Sequence, residues 1–160
     1  MKKTTYIVIA LFAIVAMVFA GRCVYQVLSI SSTVPAIKEY NFNGHFLMLD
    51  KAFKNLVFSH PEMRFAVTDT VGNSEIGFGY EFTIYTKSEM KDFEYNLKFY
   101  EDKPLSKLEI IGAFNITDTI GGYGIKANGM TKLLSKFDSD ILIPLEKQQN
   151  IKLIPIPIND

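Results

Sequence analysis

The chain reads as an α+β protein: an N-terminal transmembrane or signal helix, then an antiparallel sheet of five to seven strands with two helices packed on one face. Three observations lead there. Residues 6–21 form an apolar run without a charged or amide side chain, apolar positions between Gly44 and Pro61 recur at three- and four-residue steps, and from Met63 the period drops to two.

The first run, YIVIALFAIVAMVFAG, spans roughly 24 Å as a helix. With Thr4 and Thr5 it reaches about 27 Å, close to the ~30 Å hydrocarbon core of a bilayer. Lys2 and Lys3 precede it and only Arg22 follows closely, so the N-terminus is expected to stay cytoplasmic with the remainder exported. The competing reading is a signal peptide cut after Ala20, releasing a secreted or periplasmic domain; Val18 and Ala20 are small enough for that cut. Cys23 follows Arg22 where a lipidated cysteine needs a small residue, so an unmodified thiol is expected. Residues 1–23 are read as anchor or signal peptide, 24–36 as a tether and 37–160 as an extracytoplasmic domain. That domain has no cysteine, and its stability must come from a packed core.

Within the domain, Phe46, Leu49, Phe53, Leu56 and Val57 predict one buried stripe on a helix between Gly44 and Pro61. Phe65 and Val67 begin a strand, with a turn at Gly72-Asn73-Ser74. Phe78, Tyr80, Phe82 and Ile84, then Phe93, Tyr95, Leu97 and Phe99, form a long hairpin with one face buried, leaving Tyr85 and Tyr100 on the other. Leu108–Ile116 is more continuously apolar and belongs in the middle of the sheet. Asp118–Gly124, DTIGGYG, reads as a loop, and Asn128-Gly129 starts a helix with Met130, Leu133, Leu134 and Phe137 inward. For residues 141–154 a hairpin is preferred, because a helix would have to absorb Pro144 at about 3 kcal/mol.

The 160 residues carry 17 basic and 17 acidic side chains, and every acidic one lies beyond residue 23. Without a basic surplus in the folded part, nucleic-acid binding is not expected. No cofactor is implied. His45 and His60 bracket the first helix; the local pairs His45 with Asp50 and His60 with Glu62 lack zinc-site spacing and read as helix-end residues. The serines have no nucleophile-elbow frame, so no catalytic constellation is evident. Gly121, Gly122, Tyr123 and Lys126 form a candidate contact loop in which freed backbone amides could hold an anion. Ile154, Ile156 and Ile158 line one side of a proline-bearing edge segment that either covers the domain's own edge or donates a strand to a partner.

The lysine-rich start and the Lys, Ile and Asn usage point to a bacterial envelope protein, with residues 6–21 in the membrane and the domain binding another protein. The alternatives are a carrier of an apolar ligand between the sheet and its helices, and an envelope hydrolase using His45 or His60.

Overall fold

The computed structural model describes residues 34–73, 77–102 and 105–157. The expected span 6–21, the cut after Ala20, Cys23, most of the tether and Ile158 lie outside these residues. Among the described residues no helix is long and apolar enough to cross a membrane. Pro35–Asp160 forms one compact unit.

Among the described residues seven strands make one antiparallel sheet: β1 (Lys38–Phe42), β2 (Met63–Asn73), β3 (Gly77–Ser88), β4 (Lys91–Asp102), β5 (Leu105–Asn115), β6 (Ile120–Gly122) and β7 (Leu153–Ile156). The order is β2-β3-β4-β5-β1-β7, with β6 also on β5. Helix α1 (Phe46–Ser59) carries the chain from β1 across β5, β4 and β3 to the edge strand β2. A second helical rod, α2 (Met130–Phe137), a π-helical turn (Asp138–Leu142) and α3 (Ile143–Gln149), returns it to β7 beyond β1.

Alternation decides what the helices cover. Phe82 and Ile84 on β3, Tyr95, Leu97 and Phe99 on β4, and Leu108 and Ile110 on β5 are fully buried, as are Leu49, Phe53 and Leu56 of α1. The Phe53 ring lies 5.5 Å from Phe82 and 5.4 Å from Phe99, which are themselves 4.5 Å apart. Aromatic rings in mutual contact therefore fill the layer between α1 and the sheet.

Two expectations are corrected. Residues 141–149 are helical, so the hairpin is absent; only the later half is a strand, and it pairs with β1, setting Leu153 opposite Phe42 and Pro155 opposite Tyr40. Pro144 is accommodated because the turn before it is widened: the Ile143 N–H donates to the Asp138 carbonyl five residues back. That shift puts Pro144 in the first turn of α3, where a missing N–H costs little. The widened turn is held from β1, since Lys38 Nζ and the Tyr40 hydroxyl donate to the two Asp138 carboxylate oxygens at 2.6 and 2.7 Å.

The second correction concerns DTIGGYG, whose centre is strand β6 and not a loop. A Cβ on Gly121 would sit 2.1 Å from the Ala113 carbonyl oxygen, and its φ is +110°, so only glycine lets this segment close onto β5.

Candidate functional site

The sheet face away from the helices is open, and the register arranges its side chains in rows. One row runs Arg64, Tyr85, Glu94, Phe114 across β2 to β5; the next runs Ala66, Thr83, Asn96, Gly112. Asn96 ties them together. Its Oδ1 accepts from the Thr83 hydroxyl at 2.7 Å, while its Nδ2 donates to Glu94 Oε1 at 3.2 Å and to the Tyr123 hydroxyl at 3.1 Å. The Tyr123 ring stands edge-on to Phe114 at 5.1 Å and rests where a Cβ on Gly112 would be, 2.9 Å away.

Beside this network lies a depression of 610 Å³ lined by Arg64, Tyr85, Glu94, Lys87, Asp92 and Ile116, among others. Tyr85 is 41% exposed and Ile116 52% exposed. Arg64 has no hydrogen bond or ion pair with another described residue. An aromatic ring between a free guanidinium and a carboxylate offers apolar contact with both signs of charge. Interface hot spots are enriched in tyrosine and arginine.

A smaller cleft of 270 Å³ opens at the tip of the β3–β4 hairpin, with Lys91, Lys132 and Lys136 around it. Lys91 pairs with Asp118 at 2.5 Å and holds that carboxyl below the usual carboxylate range. Lys136 bonds Ser88 and Asp140. The two turn residues of this hairpin, Glu89 and Met90, have φ of 53° and 62°, a left-handed conformation usually left to glycine or asparagine.

The residues singled out from sequence are scattered. The Gly121 N–H donates to the Asn128 carbonyl at 3.0 Å, so this amide is already used and no cradle forms around it. Tyr123 joins the open-face network instead, and Lys126 is exposed. Ile154 is 51% exposed, whereas Ile156 lines a separate apolar groove with Ile37, Ile125 and Leu134. His45 caps α1, its Nδ1 accepting from the Leu47 N–H, while Nε2 meets Glu101 at 2.7 Å; Asp50, its neighbour in sequence, pairs with Lys54. His60 ends α1, with Nδ1 2.9 Å from Glu62 and Nε2 3.2 Å from Gln148 Nε2. One neutral tautomer satisfies both contacts of each ring, protonated at Nε2 in His45 and at Nδ1 in His60. Among the described residues no group of three or more His, Cys, Asp or Glu is placed to hold a metal ion.

Alternation puts Tyr85 on the outer face from sequence. Arg64 beside it could not be foreseen, because the pairing of β2 with β3 passes through a bulge between Val67 and Asp69. Comparison with protein-family models, with characterised proteins and with solved structures finds no match. The class is therefore defined by architecture: an α+β domain with one face of its antiparallel sheet under helices and the other open.

Proposed function

We propose that this chain is a membrane-tethered interaction module. Residues 6–21 hold it in a bilayer with the N-terminus cytoplasmic, and the exported domain docks another protein on its helix-free face. Tethering raises the local concentration of that face for partners at the same membrane. The observation that carries the reading is the 610 Å³ depression in which Tyr85 lies between Arg64 and Glu94. The ring contacts of Phe53, Phe82 and Phe99 favour it over a carrier, since they occupy the layer a ligand would need. The helix-end roles of His45 and His60 favour it over a hydrolase.

The test is recovery of the tagged full-length protein from its native membrane in mild detergent, comparing wild type, Tyr85→Ala and Ile154→Asp. A partner kept by wild type and Ile154→Asp but weakened about tenfold or more by Tyr85→Ala supports the open face. Loss with Ile154→Asp alone moves the surface to β7, and no specific partner for wild type overturns the reading. Fractionation tests the tether separately: membrane-bound protein with an intact N-terminus supports it, and soluble protein beginning at Gly21 refutes it.

A further inference from the structure

We infer that two copies of this chain pair edge to edge through β2, antiparallel, about a two-fold axis at Ala66. β2 is one end of the sheet, with only β3 beside it among the described residues. Arg64 and Ala66 through Thr70 are exposed, and Val67 is 51% exposed despite lying on the helix side. Such an edge is a template for another strand.

Three features make a second copy the occupant. The first is charge: Arg64 lacks an ionic partner among the described residues, while Asp69 lies opposite Glu81, a like charge that disfavours the pairing. Asp69 Oδ1 accepts from the Thr70 N–H at 2.7 Å, which leaves Oδ2 for an incoming cation. The second is register. Going back from Ala66, Arg64 is two ladder positions away; going forward, Asp69 is also two, because the bulge between Val67 and Asp69 removes one residue from step. The bulge also returns Asp69 to the face of Arg64, as their opposites Glu81 and Tyr85 share a face of β3. An antiparallel pair centred on Ala66 therefore sets Arg64 of each copy against Asp69 of the other, twice, as an isologous contact requires. The third is size: Ala66 meets its own symmetry mate at the axis, where a small side chain lets the strands close. The opposite sheet edge lacks this capacity. Pro155 and Pro157 are two residues apart on the β7 side, so both missing N–H groups face the same way, and with Pro155 paired to Tyr40 that way is outward.

The experiment is thiol cross-linking of the full chain in its membrane with a short bis-maleimide, in a Cys23→Ser background. Ala66→Cys is expected to give a covalent dimer several times more readily than the collision control Phe58→Cys, a position 94% exposed on α1. Adding Arg64→Asp or Asp69→Arg alone should lower the dimer fraction about tenfold, because each places like charges across the axis. Combining the two reversals should restore it. Phe58, Arg64, Ala66 and Asp69 are exposed, and an unchanged thermal midpoint checks that each variant is folded. Cross-linking at Ala66 no better than at Phe58, or a double reversal that fails to recover what the single reversals lose, overturns the inference.

Discussion

Removing the Phe53 ring tests the core and the preference for a binding surface over an internal ligand site. Phe53 is fully buried and sits on two aromatic neighbours, Phe82 and Phe99, at 5.5 and 5.4 Å. Phe53→Ala deletes the ring from a layer with no solvent exposure, a change that costs about 3–5 kcal/mol in such settings. Unfolding entropy of about 2.1 cal/mol/K per residue, over roughly 125 residues, amounts to ~0.26 kcal/mol/K. The thermal midpoint of the full chain should therefore fall by roughly 12–19 °C. Phe53→Leu, which keeps most of the volume, should lose only about 1–2 kcal/mol. Circular dichroism melts read both, and titration with a small apolar probe such as benzene reads whether the wild type has room at this site. The expected pattern is a large fall for alanine, a small one for leucine, and benzene binding by the alanine variant alone. A fall under about 3 °C for Phe53→Ala, or benzene binding by wild type at this site, would refute the closed core and revive the carrier reading.

Three further outcomes are expected. Replacing Glu89 and Met90 by Asn and Gly relieves two left-handed residues at the β3–β4 tip and should stabilise the fold by about 1–2 kcal/mol, raising the midpoint by roughly 4–8 °C; an unchanged or lower midpoint counts against strain there. The phenols of Tyr40, Tyr80 and Tyr95 are all pushed up, by burial first in each case and then by Asp138, by Asp50, and by Asp140 with Asp138 respectively. The folded state thus keeps protons that the unfolded chain releases, so stability measured by urea unfolding should fall above about pH 10, by about 1.4 kcal/mol per pH unit for each phenol. Tyr40→Phe should make that slope shallower, and an equally steep slope would rule out Tyr40 as a contributor. Finally, Pro155→Ala with Pro157→Ala restores two N–H donors along the β7 edge and should increase self-association by light scattering; no increase would mean that the prolines are not what protects this edge.

Locally encoded features were legible in the residues. The stripe Leu49, Phe53, Leu56 predicted α1 and its buried side, and the alternation through Phe82, Ile84, Tyr95, Leu97 and Phe99 predicted which face of the hairpin is covered. The failures came where a local rule was answered from elsewhere in the chain. Pro144 argued against a helix over 141–149, yet one widened turn, held through Asp138 by Lys38 and Tyr40 from β1, lets the helix continue. The glycines of DTIGGYG argued for a loop, but the freedom of Gly121 serves close approach to Ala113 on β5.

The open face shows the same division. Tyr85 was assignable to it from alternation alone, because side-chain direction in a strand depends only on parity. That Arg64 lies on one side of Tyr85 and Glu94 on the other depends on pairings between separate strands, one of them shifted by a bulge. Spacing within single segments was enough to establish α1, the alternating β3–β4 hairpin, their buried faces and the α+β class. The strand order, the free edge at β2, the proline-protected edge at β7 and the groove around Tyr85 came from the fold alone, because these depend on which distant segments pair and in what register.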